Sequence, residues 1–272
     1  MTEVCVVHLV WAPLGTGPVE RFAASYREHP AGREHRLVVL LNGFGTDDDV
    51  AEHLRPLDGL AYETVRIDPP TLDLPAYARA AHALDARCLC FLNSHSAVLA
   101  PGWLAALHDA LGPGVGLAGA TGSYEAPRTV NPLRGRRWPR FPNPHIRTNG
   151  FILEGALMRS LRWPDVTTKS AAWALESGRA GLTRAVWARG LQTVVVGRDG
   201  TAYPPEAWPE SATFRSGGQA NLLIADNRTR QWEDADPAER ARLSRRAWSA
   251  APARAAAQVR AAGRPAETPV AV

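Results

Sequence analysis

The sequence predicts an α/β fold, a mostly parallel sheet with helices on both faces. Three observations predict it. Apolar runs of strand length recur at Val4–Val10, Arg36–Leu41, Tyr62–Ile67 and Cys88–Leu92. Segments of helical spacing sit between them, so strand and helix alternate. The runs at Arg36 and Cys88 are continuous rather than alternating, as in strands covered on both faces.

The elements follow in order. Val4–Val10 is a first strand ending at Trp11-Ala12-Pro13, and Pro18–His29 has helical spacing through Val19, Phe22, Ala23 and Tyr26. Gly15-Thr16-Gly17 between them lacks the third glycine and the lysine of a phosphate cradle and reads as a turn. Arg36–Leu41 is strand two, and Thr46 or Asp47 caps a helix running to Leu54. Tyr62–Ile67 is strand three, broken by Asp68-Pro69-Pro70. Leu74–Ala86 is a helix with Pro75 in its first turn. The central strand Cys88–Leu92 ends in Asn93-Ser94-His95-Ser96, and Pro101-Gly102 precedes an amphipathic helix from Trp103. If strand geometry persists past Leu92, Asn93 and His95 face the same side.

Gly114–Ala120 is a further strand, and Asn131–Pro144, rich in Pro, Gly and Arg, reads as an irregular loop or lid. Thr148–Leu153 is a strand, Ala156–Leu161 a helix, Trp173–Arg189 one long helix through Glu176, Arg179 and Arg184, and Leu191–Val196 a strand. Asp236-Pro237-Ala238-Glu239 is a helix start, and from Ala251 the Ala/Arg/Pro composition predicts a loose tail.

The chain has 272 residues, 45% of them hydrophobic and 21% charged, enough for one large domain with an ample core. The net charge is +4, but the arginines are spread along the chain and form no stripe, which argues against a nucleic-acid partner. Cys5, Cys88 and Cys90 form no CxxC pair and sit in apolar runs. They read as buried, reduced thiols in a reducing, cytoplasmic compartment. The first residues have no basic leader region and read as a strand, not a signal peptide. No apolar run is long enough to span a bilayer, which leaves peripheral membrane association open.

The segment FLNSHSAVLAPGWLAAL, from Phe91 to Leu107, resembles the centre of family 2-like glycosyltransferases of the Rossmann-like GT-A fold. In that family a hydrophobic strand ends in Asp-x-Asp and is followed by a Pro-Gly-Trp-Leu helix start. The frame matches, but Asn93 and His95 stand where the two aspartates are expected. Pro13 after strand one, Asn42 after strand two and Ala78-Arg79 before the central strand match the family's order, with Ala80 in place of an Asn. In the second half, ALESGRAGLTRAVWARGLQTVVVG is similar to the family's acidic helix, arginine, glycine and strand, with Glu176 retained and Ser177 in place of the Asp.

The resemblance implies a GT-A domain over residues 1–235. Residues 1–122 are its nucleotide-sugar half and 145–235 its acceptor and catalytic half. A helix over 236–250 and the tail 251–272 follow. It implies transfer of a sugar from a nucleotide-diphosphate sugar, with inversion, to a small-molecule or glycan acceptor. Pro13, Asn42, Arg79 and Asn93 are then expected against the nucleotide. Such a reaction needs a base for the acceptor proton and stabilisation of the leaving diphosphate. Glu176 is the first candidate base, with Asp165 and Glu154 in reserve; its alternative is a surface helix glutamate paired with Arg179.

The family's divalent ion, Mn²⁺ or Mg²⁺, is in question because Asn93-Ser94-His95 replaces the acidic motif. His95 is the candidate metal ligand and His145 a second nitrogen, a set that favours a softer ion than Mg²⁺. Alternatively Arg147, Arg179 or Arg215 meets the phosphates with forked donors. Trp173 and Trp208 are candidate sugar platforms or core residues, and Gln219 and Asn221 lie in a segment that can close over the site. Two other readings stand beside transfer. One is an inactive relative that only binds nucleotide sugar or glycan. The other is a nucleotidyltransferase, for which the Leu14–Pro18 loop lacks the expected Gly-rich run with Arg or Lys.

Overall fold

The structure, a computed structural model, describes residues 2–126, 138–164, 166 and 168–262. The first half runs β1 (Thr2–Trp11), α1 (Gly17–Glu28), β2 (Arg36–Asn42), α2 (Asp47–Leu54), β3 (Glu63–Ile67), α3 (Asp73–Ala83) and β4 (Ala86–Leu92). Then come β5 (Ala97–Val98), α4 (Trp103–Asp109), β6 (Val115–Gly119) and β7 (Gly122–Ser123). The second half runs β8 (His145–Ile146), β9 (Gly150–Glu154), α5 (Gly155–Ser160), α6 (Lys169–Ser177), α7 (Leu182–Trp187), β10 (Gln192–Val196) and β11 (Ala202–Tyr203). It closes with β12 (Ile224–Ala225), α8 (Asn227–Glu233), α9 (Pro237–Trp248) and α10 (Pro252–Ala261).

Eight strands form one sheet in the order β11-β10-β6-β9-β4-β1-β2-β3. The pairs β1–β2, β2–β3, β1–β4 and β6–β10 are parallel, while β9 runs antiparallel between β4 and β6, and β11 antiparallel beside β10. The sheet is therefore mostly parallel, as the alternation of strand and helix predicts.

Both faces are covered. Along β1, Cys5, Val7 and Leu9 join one core and Val4, Val6 and Val10 the other, the period of two a strand imposes. The first core centres on an aromatic cluster: the Phe91 ring lies 4.6 Å from Tyr77 and 5.3 Å from Phe151. In the second, His8 stacks on Phe22 at 3.8 Å, and burial lowers its pKa to about 3, so it is a neutral core residue. The three cysteine thiols are free and buried, which raises their pKa values.

Several boundaries differ from the sequence reading. α3 starts at Asp73 and stops at Ala83, because Ala86 already pairs with Thr2 in β4. β9 starts at Gly150, opposite Leu92, rather than at Thr148. The long helix expected over Trp173–Arg189 is two, α6 and α7. Gly178 and Gly181 let the chain double back over the end of α6: a Cβ at Gly178 would lie 2.3 Å from the Ala174 carbonyl oxygen, and one at Gly181 2.7 Å from that of Glu176. The tail expected to be loose from Ala251 forms α10, whose Ala255 and Ala256 are buried; residues 263–272 lie outside the described residues. So does 127–137, which takes in the first half of the loop expected over Asn131–Pro144.

Deleting the centre of the aromatic cluster leaves a cavity that Tyr77 and Phe151 cannot both fill. Phe91→Ala is expected to destabilise the protein by about 3–5 kcal/mol. The measurement is a lower urea midpoint with an unchanged slope.

Candidate active site

The parallel strands all end at one edge of the sheet, and β9, antiparallel, begins there. That edge is where open α/β sheets place ligands. β4 stops at Leu92, and strand geometry does not persist through Asn93 and His95. The Asn93 Oδ1 accepts the His95 N–H at 2.9 Å and the Ser96 hydroxyl at 3.2 Å, closing a turn on itself. Ser96 shares its one hydroxyl hydrogen between that oxygen and the nearer Asn149 carbonyl oxygen, and the Thr121 hydroxyl donates to the Asn149 Oδ1, which ties the ends of β4, β6 and β9 together.

The chain returns to this edge through β12, which pairs with β5. Directly after β12, Asp226 caps α8: its Oδ1 accepts the N–H groups of Arg228 and Thr229, both at 2.9 Å. Its Oδ2 accepts Arg147 Nη2 at 2.9 Å, an ion pair in which Asp226 is 1% exposed. Burial opposes ionisation of Asp226, but Arg147 and the cap N–H groups outweigh it and hold the pKa low. From α8, Arg230 Nη2 donates to the His95 carbonyl oxygen at 3.1 Å. Burial and then the charge of Arg230 lower the His95 pKa, with Arg21 and Arg228 adding to the positive field.

Beside this edge lies a cavity of about 550 Å³. Asp73 from α3, Glu176 from the last turn of α6, Arg147, Phe214, Arg215 and Arg246 line it. Glu176 Oε1 accepts the Thr148 N–H at 3.2 Å. Burial raises the Glu176 pKa, against the pull of Arg147. Burial also pushes Asp73 up to about 6, reinforced by the charge of Glu176. The Arg147 guanidinium lies 4.2 Å from the centre of the Phe214 ring, and that of Arg215 4.8 Å. The site thus holds two carboxylates whose pKa values burial raises, beside fixed guanidiniums, a set suited to moving a proton next to an anion.

No family model and no curated protein matches the chain by sequence. By structure, the chain is similar to the mannosyltransferase PcManGT of Pyrobaculum calidifontis, in complex with GDP-Man and Mn²⁺, which aligns over 96% of this chain and 75% of its own, with a TM-score of 0.50 and 15% identity. The fold is GT-A. Glucosyl-3-phosphoglycerate synthase of Mycobacterium tuberculosis, in complex with Mn²⁺, UDP and phosphoglyceric acid, aligns over 60% of both chains at a TM-score of 0.42 and 17% identity. Among the described residues no helix is long and apolar enough to cross a membrane.

Within this GT-A sheet, Pro13, Asn42, Asn93 and His95 sit at the strand-end edge: Pro13 just past β1, Asn42 at the end of β2, Asn93 and His95 past β4. The Asn42 side chain is already committed, donating to the Thr71 carbonyl oxygen at 2.7 Å and accepting its N–H at 3.2 Å. Arg79 Nη1 donates to the Pro69 carbonyl oxygen at 2.6 Å. Arg147, His145, Trp173 and Arg215 meet Glu176 at the cavity, but Arg179 is exposed and does not line it. The ion pairing of Glu176 with Arg179 expected from their spacing is replaced by the field of Arg147, because α6 ends between them. Nor is Glu176 at the head of a helix.

Glu154, at the end of β9, is exposed and away from the cavity; Asp165 lies outside the described residues. Trp208 is fully buried in the core, its indole N–H on the Tyr203 carbonyl oxygen at 2.9 Å, so it is no sugar platform. Gln219 and Asn221 bind their own loop and α8, through the Thr229 carbonyl oxygen and the Ser211 carbonyl oxygen. Sequence reasoning missed Asp73, Glu125 and Asp226. Only Asp226 had a signal, the Asp-x-x-Thr capping pattern with Thr229.

The divalent ion of the family does not fit these residues. The Asn93 oxygen is engaged by the His95 N–H, and around His95 the charges of Arg230, Arg21 and Arg228 outweigh that of Asp226. His145, the second candidate nitrogen, has Nδ1 on the Asn143 carbonyl oxygen at 2.8 Å. No three His, Cys, Asp or Glu side chains converge among the described residues. A cation would meet positive potential where a ligand set is needed. Nucleoside diphosphate affinity is therefore expected to be the same, within about twofold, in EDTA and in Mn²⁺. A gain of tenfold or more with Mn²⁺, lost in His95→Ala, would restore His95 as a metal ligand.

Asp73 also sets a stability test. Its folded pKa, about 6, lies above its ordinary value, so the folded state binds the extra proton. Its contribution is favourable at low pH and is lost as pH rises from about 4 to 6. Asp73→Asn should therefore match the parent near pH 4 and exceed it by about 2 kcal/mol at pH 7.5, read from urea midpoints at both pH values.

Proposed function

We propose that the protein transfers a sugar from a nucleotide-diphosphate sugar to an acceptor hydroxyl, with inversion, and that Glu176 is the general base. The observation that carries this reading is the Glu176 carboxylate at the cavity, oriented by the Thr148 N–H and flanked by Arg147, next to the strand-end edge of a GT-A sheet. The mannosyltransferase of similar fold, solved in complex with GDP-Man, supports the donor class.

The nucleotide lies across the ends of β1, β2 and β4, against Pro13 and Asn93. Asn42 and Arg79 act there by holding the loop after β3 through Thr71 and Pro69. The diphosphate faces Arg230 and Arg21 beside His95. The acceptor hydroxyl gives its proton to a Glu176 oxygen as its own oxygen bonds to the anomeric carbon. The bond from that carbon to the phosphate oxygen breaks on the opposite face, and the diphosphate leaves with the electron pair. Guanidiniums fixed beforehand stabilise that growing charge without reorganisation. Arg147, locked on Asp226 and Phe214, keeps a positive charge near Glu176 so that the base ionises in spite of burial.

A second reading is a relative that binds without turnover, favoured by the loss of both acids at Asn93 and His95. Incubation with a panel of nucleotide sugars, with release of free sugar as readout, separates the two; slow hydrolysis is expected. Glu176→Gln keeps the shape and removes the basicity. It should lose about a hundredfold or more in turnover while donor affinity holds. In the parent, turnover should rise with pH on a limb above the ordinary carboxylate range, because burial raises the Glu176 pKa. Full activity of Glu176→Gln would move the base elsewhere.

A further inference from the structure

The cavity is lined by charges of both signs. Asp73 and Glu176 are among them. Arg215 Nη1 and Arg246 Nε share a single carboxylate, Glu125, at 3.2 and 2.9 Å. Two guanidiniums against one carboxylate leave an excess positive charge, and Arg228 and Lys169 line the same space. The other two cavity arginines are matched: Arg147 by Asp226 and Arg242 by Glu239.

Arg215 is the unusual member. It is 4% exposed, and its Nε has no hydrogen-bond partner among the described residues. Its backbone φ is 48°, in the left-handed region that a residue with a Cβ disfavours. Burial and the neighbouring arginines lower its pKa to about 10, the mark of a site short of negative charge. A buried, forked, under-neutralised donor beside a cavity matches the geometry of a carboxylate or phosphate.

We propose that this basic cluster, Arg215 and Arg246 around Glu125, binds an anionic group of the acceptor, a phosphate or a carboxylate, and so presents the acceptor hydroxyl to Glu176. The space of about 550 Å³ suits a small organic acid or phosphate ester. The site is an acceptor site only if glycosyl transfer holds as read above, so donor and anion are titrated separately.

The experiment is calorimetry of the full chain with glycerol phosphate, glycerate and glycerol, and in parallel with UDP and GDP. The parent, Arg246→Gln and Glu125→Gln are compared. Arg246 is the cleaner variant because its side chain is 41% exposed. The two anions should bind and glycerol should not, the tighter anion naming the acceptor's group. Arg246→Gln should weaken the anions about tenfold and leave the nucleoside diphosphate unchanged. Glu125→Gln, which removes the competing carboxylate, should bind the anions more tightly and gain a larger rise in Tm from them than the parent does. A purely structural Glu125 would not give that reversal of sign. Anions binding no better than glycerol, or equally well to Arg246→Gln, would overturn the proposal while UDP or GDP binding left the transfer reading intact. Equal weakening of the diphosphate would assign the cluster to the donor. Anion binding with neither UDP nor GDP bound would remove both the transfer reading and the acceptor.

Discussion

The buried ion pair between Arg147 and Asp226 is the constraint on which the rest of the site depends. It joins two parts of the chain far apart in sequence, the entry to β9 and the cap of α8. With one partner removed, the other would be a buried charge without compensation, a loss of several kcal/mol. The pair is satisfied on every side. Arg147 covers the Phe214 ring and Asp226 accepts two cap N–H groups, so the desolvation of both ions is offset by fixed partners. Through it, α8 lies against the end of β4, which places Arg230 on the His95 carbonyl oxygen.

The same pair sets the electrostatics of the cavity. Arg147 favours the ionised form of Glu176 and so limits the rise in its pKa, but burial is the larger effect. Asp73, close to Glu176, is raised further because two carboxylates in one cavity resist ionising together. A chain selected for stability alone would not keep both acids there. Two buried carboxylates beside fixed guanidiniums are an arrangement more often met at functional sites than in a core packed for stability.

The metal-bearing part of the GT-A frame shows how a strand end can be redirected. An aspartate after β4 would offer two oxygens outward. Asn93 turns its one oxygen back onto His95 N–H and the Ser96 hydroxyl, and the outward field is then dominated by arginines from α1 and α8. The frame of the sheet is kept while the charge at this strand end is carried by side chains.

The sequence by itself determined the sheet and its covered faces. Continuous apolar runs at Arg36–Leu41 and Cys88–Leu92 admit little but buried strands, and local caps such as Thr46 and Asp236 announce their helices. The order of Pro13, Asn42 and Phe91–Leu107 sufficed to suggest GT-A, since these marks lie on successive strand ends. What the sequence could not determine was which charges face each other. Glu176 and Arg179 are three apart, yet the turn at Gly178 ends the helix between them and leaves Glu176 on the Thr148 N–H in the field of Arg147. Tertiary structure alone decided that Asp73, Glu125, Arg215 and Arg246, from four separated segments, share one cavity. Coulomb energy and desolvation depend on distance and burial in space, and neither is written in the spacing of residues along a chain.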